Sequence, residues 1–134
     1  MQAKAVIESV GIRPSIQRMA IMNYLMEKRS HPTVEEIFLS LSPSIPTLSK
    51  TTVYNTLRLF VDSGIVQMLT IDEQNSRYDA DTSVHVHFLC KECGKVYDLP
   101  TEVITYLHPE VVEGHVVEER YHFFKGVCKE CSKE

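Results

Sequence analysis

Within ten residues, His85 to Gly94 (HVHFLCKECG), the chain places four side chains that ligate metals: His85, His87, Cys90 and Cys93. A second pair, Cys128 and Cys131, repeats the CxxC spacing, and the 4 cysteines of the protein all lie in these two pairs. Two CxxC knuckles bring four thiolates around one tetrahedral zinc and leave it no open position, the pattern of a structural site. A disulfide or a redox-active dithiol is the other use of such cysteines. Paired thiols in a reducing compartment favour the metal. Four thiolates close the site, so His85 and His87 have no place in it. A second ion, or a structural pair on one strand, must account for them.

Composition bounds what surrounds these residues. The length of 134 residues accommodates one domain or two small ones, and the hydrophobic fraction of 43% is ordinary for a folded protein. No apolar run approaches the ~18 residues of a membrane span. The first residues, MQAKAVIE, have no apolar stretch of signal-peptide length. A cytoplasmic protein without membrane attachment is the expectation. The net charge of -4 is uneven: residues 1–70 carry seven Lys/Arg against five Asp/Glu, whereas residues 71–134 carry seven against thirteen. A mildly basic first half and an acidic, ligand-rich second half predict two modules, 1–80 and 81–134.

The first module reads as helices followed by a hairpin. A short amphipathic segment from Ala5 to Val10 ends at Gly11, and Pro14 suits the first turn of a helix reaching Lys28. Thr33 and Glu36 have the spacing of a capping box, in which hydroxyl and carboxylate each satisfy an exposed backbone N–H. Val34, Ile37, Phe38 and Leu41 then follow at helical period. Residues 42–47 form a turn or loop. Ser49 can cap the next helix, which runs to about Ser63 and stops at Gly64. Val53, Leu57, Phe60 and Val61 form its inner stripe. Its other face shows Lys50, Thr51, Thr52, Asn55 and Arg58, with Tyr54 at the margin, which are donors suited to phosphates and base edges. Ile65 to Ile71 reads as a strand, residues 72–76 as a turn and Arg77 to Asp79 as the return. Three helices and a β-hairpin give the order of a winged helix-turn-helix that binds duplex DNA. The plainer reading is a helical domain whose polar helix face is merely solvated.

Residues 79–83 form a polar connector and candidate hinge. Beyond it, strands are expected at 85–89, 95–99, 116–119 and 121–124, with a short helix starting at Pro100. The whole is an α+β chain: an N-terminal winged helix-turn-helix and a small C-terminal α/β module stapled by zinc. The second core is small, so metal and dimerisation both contribute to its stability.

With these features in order, the chain resembles the ferric uptake regulator family of bacterial metal-dependent repressors, and within it the peroxide-sensing branch. Arg13 to Arg18 is similar to the family's RxTxQR, with Ser15 in place of the usual threonine. His31 to Ile37 matches HPTxEEI, Thr52 to Leu57 matches TVYxTL, Ser76 to Asp79 matches SRYD/E, and His85 to Gly94 matches HxHxxCxxCG. The resemblance implies a homodimer that binds an inverted-repeat DNA operator when a regulatory metal is present. It places that metal on His31, Asp79, His85, His87 and Asp98. Three imidazoles and two carboxylates suit Fe(II) or Mn(II), with Zn(II) a further candidate, and lack the thiolates that favour softer ions. His31 belongs to the first module, Asp79 to the connector and the others to the second. An ion gripping both would set the angle between them, and with it the spacing of two recognition helices in a dimer. Each ligand also has a plainer role: His31 ending a helix, Asp79 as a loop acid, His85 and His87 as a strand pair, Asp98 facing solvent. His108, His115 and His122 are read as surface or packing residues.

Two features select the branch. Iron-uptake members usually carry glutamate where this chain has Asp79, and the resemblance associates aspartate there with peroxide sensing. In such sensors, bound Fe(II) reacts with peroxide and oxidises the histidines corresponding to His31 and His85, which releases DNA. The extra metal site common in iron-uptake members falls on Val86, Thr105 and Arg120, none of them a ligand. Iron or zinc sensing is the alternative within the family. A metal-dependent hydrolase built on Asp79, His85 and His87 is the alternative outside it, and the chain has no nucleophile motif, phosphate loop or convincing general base for one. Tyr54 and Arg58 are the candidates for base contacts, with Lys50, Thr51 and Asn55 towards the DNA backbone.

Overall fold

The structure, a computed structural model, describes residues 2–28, 30–70, 75–82, 86–100, 111–117 and 123–133. The chain divides into two compact units, Met1–Ser83 and Val84–Glu134.

In the first unit, α1 (Ala3–Ser9), α2 (Ile16–Glu27), α3 (Val34–Leu41) and α4 (Lys50–Asp62) precede β1 (Gln67–Leu69) and β2 (Arg77–Asp79). Side-chain oxygens start three of the helices. Ser15 accepts from the Arg18 N–H at 3.1 Å, and Ser49 from the Thr52 N–H at 3.0 Å. Thr33 and Glu36 form the expected capping box, with the Glu36 N–H donating to Thr33 Oγ1 at 3.2 Å and the Thr33 N–H to Glu36 Oε1 at 3.4 Å. Such caps contribute about 1 kcal/mol each. Ser15 as cap moves the start of α2 past Pro14, which lies outside the helix rather than in its first turn. Gly64, at φ 81°, ends α4 in the left-handed conformation that glycine adopts without strain. The apolar stripes meet in one core where Ile7, Ile21, Ile37, Val53, Leu57 and Phe60 are fully buried. β1 and β2 pair antiparallel with Met68 opposite Tyr78, making the wing. Residues 71–74, which include most of the turn expected at 72–76, lie outside the described residues.

In the second unit, β3 (Val86–Cys90) is the middle strand of a three-stranded sheet. It pairs antiparallel with β4 (Val96–Leu99) and parallel with β7 (Phe123–Gly126). β5 (Val111–Val112) and β6 (His115–Val116) form a separate hairpin. Its two turn residues, Glu113 and Gly114, both have positive φ, 49° and 86°, as a type I′ turn requires. That hairpin is absent from the sequence expectation, which places a strand at 116–119. The last strand is also displaced: it continues to Gly126 instead of ending at Phe124. The expected helix after Pro100 lies outside the described residues. Among the described residues no helix is long and apolar enough to cross a membrane.

Candidate metal centres and nucleic-acid face

The four cysteines converge as their spacing implies. Cys90 ends β3, Cys93 lies in the turn after it, and Cys128 and Cys131 follow β7, so the sheet pairing of β3 with β7 brings the two CxxC loops together. The four sulfurs lie within 4.8 Å of one another. Cys93 Sγ and Cys128 Sγ are 3.8 Å apart. Zn–S bonds of about 2.3 Å in a tetrahedron give a sulfur–sulfur edge of about 3.8 Å, whereas a disulfide needs about 2.05 Å. The donor set therefore fits zinc, and the cysteines are free thiols. Backbone amides aim at the sulfurs: the Cys128 N–H donates to Cys90 Sγ at 3.3 Å, and the Cys93 N–H does so at 3.5 Å. These amides hold the Cys90 thiol below its usual range. A hydrogen bond from the Tyr97 side chain, helped by the Cys131 amide, lowers Cys128 to about 6. The same bond pushes the Tyr97 hydroxyl up, and interaction with Cys128 pushes the Cys131 thiol up. Cys90 and Cys128 are thus the sulfurs most readily held as thiolates, the form that binds zinc. Tyr97 has no signal in the spacing of ligands and was not anticipated.

The histidine and acid candidates form one pair in each unit. In the first, His31 Nε2 is 3.4 Å from Asp79 Oδ2, both side chains being buried. The other carboxylate oxygen of Asp79 accepts the Asp81 N–H at 2.9 Å, an Asx turn that fixes the carboxylate and turns Oδ2 towards the histidine. His31 itself has φ 58°. A left-handed backbone costs a non-glycine residue of order 1–3 kcal/mol, and a residue before proline is ordinarily extended. Such backbone outliers cluster at functional sites, and this one falls on a candidate ligand. In the second unit, His87 and Asp98 are directly opposite on β3 and β4, and His87 Nε2 is 3.3 Å from Asp98 Oδ1. His87 is buried, while the Asp98 side chain is 40% exposed. His85 lies outside the described residues. Both pairs join imidazole nitrogen to carboxylate oxygen, the donors of a borderline divalent ion.

On α4, Lys50, Thr51, Asn55 and Arg58 are exposed, Thr52 is half-buried and Tyr54 is 48% exposed. Burial raises the hydroxyl of Tyr78 in the wing strand, and the charge of Tyr54 raises it further. Lys50 Nζ rests 3.2 Å from Glu35 Oε1 in an exposed ion pair. A pair of this kind is worth at most about 1 kcal/mol and yields readily to a phosphate. A polar cleft of about 380 Å³ lies beside this face, lined by Ser15, Gln17 and Arg18 of the α2 end and by Thr52, Asn55 and Thr56 of α4. Gln17 and Arg18 thus share a cleft with Thr52 and Asn55, a neighbourhood that the helix pattern of α4 alone does not provide. Their signal was the RxTxQR match.

Fold, thiolate cluster and helical face together define a two-unit metalloregulator, and the chain belongs to the ferric uptake regulator family, whose profile matches residues 9–127. Among its relatives, the peroxide-responsive repressor PerR of Staphylococcus epidermidis is 41% identical over 133 residues, covering 97% of this chain and 88% of that protein. The solved structure of PerR from Streptococcus pyogenes, concerned with peroxide sensing and gene regulation, is 27% identical with a TM-score of 0.55, covering 98% of this chain and 95% of that one. The ferric uptake regulator Fur of Helicobacter pylori, with three functional metal binding sites, shares the fold at a TM-score of 0.74 and 20% identity, covering 100% and 96%.

Proposed function

We propose that this chain is a metal-dependent repressor that binds an inverted-repeat operator as a homodimer in the cytoplasm and releases it in response to peroxide. The observation that carries the reading is Asp79. Its Oδ1 accepts the Asp81 N–H, which turns Oδ2 towards His31 Nε2. The Asx turn depends on the short aspartate side chain, and a glutamate there would not be held in this way. A carboxylate held this way would favour binding an ion through Oδ2, and one-oxygen binding would leave room beside the ion for peroxide. The similarity to peroxide-responsive repressors at 41% identity supports the same branch.

In this reading His31, Asp79, His85, His87 and Asp98 hold the regulatory ion, Fe(II) or Mn(II), with Zn(II) the competitor, while Cys90, Cys93, Cys128 and Cys131 hold a permanent structural zinc. Bound Fe(II) supplies the electrons that peroxide takes up beside the histidines. The chain supplies the rest: imidazoles close enough to be oxidised, and a ligand set that weakens once one of them is. Dimerisation falls to the second unit, where β7, the outer strand of the sheet among the described residues, presents Phe123 and Phe124 at 43% and 47% exposure. An exposed aromatic edge is ordinarily covered. Lys50, Thr51, Thr52, Tyr54, Asn55 and Arg58 face the operator. A hydrolase reading gains nothing from a family of regulators.

The test is anaerobic loading with Fe(II), brief exposure to micromolar peroxide, and peptide mass spectrometry. Binding is followed on a duplex selected from a random pool with the Mn(II)-loaded protein. A one-oxygen gain on peptides holding His31 or His85, with loss of duplex binding, is the expected result. Unmodified histidines and intact binding would leave a sensor of iron or zinc supply.

A further inference from the structure

Three consecutive residues of β2 meet the segment that carries His31. Arg77 Nη1 donates to the His31 carbonyl at 3.1 Å. The Tyr78 N–H donates to the Pro32 carbonyl at 3.0 Å, and Asp79 Oδ2 faces the His31 imidazole at 3.4 Å. Arg77 also approaches Glu36 Oε1 at 3.9 Å, and its side chain is only 14% exposed. Glu36 is the carboxylate that closes the capping box of α3. One guanidinium therefore ties the backbone of a strained residue, at φ 58°, to the fixed start of the next helix. Both contacts are made by the same nitrogen, Nη1, and a lysine, with its differently shaped and more flexible stem, would not hold its ammonium at that point in the same way.

We propose that Arg77 is a positioning residue for the regulatory metal: it holds the His31 backbone in its left-handed conformation and so keeps the imidazole turned towards Asp79. Without it, His31 relaxes towards the extended conformation ordinary before proline, and Nε2 leaves the carboxylate. The inference rests on reading His31 as a metal ligand. Loss of an outer-shell partner lowers metal affinity by about 10–100-fold.

The test uses the full-length, zinc-loaded protein and Mn(II) as probe, with free Mn(II) followed by electron paramagnetic resonance. Arg77→Ala, Arg77→Lys, His31→Ala and the double variant Arg77→Ala/His31→Ala are compared. Zinc content and far-ultraviolet circular dichroism report the fold. Arg77→Ala should weaken Mn(II) binding at least tenfold with zinc and helicity unchanged, and Arg77→Lys should restore only part of it. The double variant should bind no more weakly than His31→Ala, because Arg77 acts through that histidine. Wild-type affinity in Arg77→Ala, together with a loss in His31→Ala, would refute the role of Arg77 and spare the ligand assignment. Wild-type affinity in His31→Ala would overturn both. Should Arg77→Ala lose its helical signal, Arg77→Lys decides: a loss of threefold or more supports the proposal, and unchanged affinity refutes it.

Discussion

Replacing Cys128 by serine should melt the second unit and leave the first standing. Among the described residues, the buried apolar side chains of the second unit are Val86, Cys90, Val96 and Cys128. Two of the four are cysteines of the zinc cluster. Full burial of a valine contributes about 1.5–3 kcal/mol, so the pair Val86 and Val96 supplies roughly 3–6 kcal/mol. A structural zinc in a small domain supplies an apparent 10–16 kcal/mol or so, and it outweighs the two valines at least about twofold. The first unit is the reverse case, with an apolar core that includes Ile7, Ile21, Met22, Leu25, Ile37, Leu57 and Phe60. Cys128→Ser removes one thiolate and the sulfur that accepts the Cys131 N–H at 3.5 Å. The assay is zinc content by atomic emission beside thermal unfolding followed by circular dichroism. The expected outcome is loss of stoichiometric zinc and of strand signal, with a helical transition retained near its original temperature. A variant that keeps one zinc per chain and melts as the parent does would refute the view that metal, rather than apolar burial, holds this unit.

Further perturbations bear on the other parts. Arg58→Ala should weaken binding to the selected duplex by about 1–3 kcal/mol, about fivefold or more, while zinc content stays unchanged; a filter-binding titration showing parental affinity would remove Arg58 from the DNA face. Asp79→Glu, which cannot keep the bond to the Asp81 N–H, should retain Mn(II)-dependent DNA binding within about tenfold yet slow peroxide oxidation of the His31 peptide; equal oxidation rates would show the Asx turn to be irrelevant. The Cys128 thiol is lowered from 9.0 to about 6, so its stabilising contribution is full above pH 9 and is lost as the pH falls through about 6. Tyr97→Phe removes the largest cause of that shift, and zinc should then pass to a chromogenic chelator at a higher pH than in the parent. An unmoved release midpoint would refute a role for Tyr97.

What the residues disclosed on their own was local chemistry. Ser49, Thr33 and Glu36 act within three residues of themselves, and their caps stand where spacing put them. The cysteine cluster was legible because thiolate pairs have few other uses. Arg77 was not, since its partner His31 is 46 residues away and nothing in either neighbourhood announces the other. Strand ends were misjudged for a related reason. β7 extends to Gly126 because β3 is there to pair with it, a tertiary cause that no window of sequence contains. Pro14 followed a sound rule for first turns but lost to Ser15, whose hydroxyl satisfies the Arg18 amide.

The parallel pairing of β3 with β7 has a consequence for how the protein is made. β4 follows β3 almost at once, so a two-stranded ribbon can form early in synthesis, but a two-stranded ribbon is marginal in water. The middle strand gains its second neighbour, and the cluster its last two sulfurs, only after the 38 residues separating Cys90 from Cys128 have emerged. The helical unit is finished long before. A chain interrupted late in translation would therefore carry a folded reading head and a ribbon with an open edge, and proteases would find that edge first.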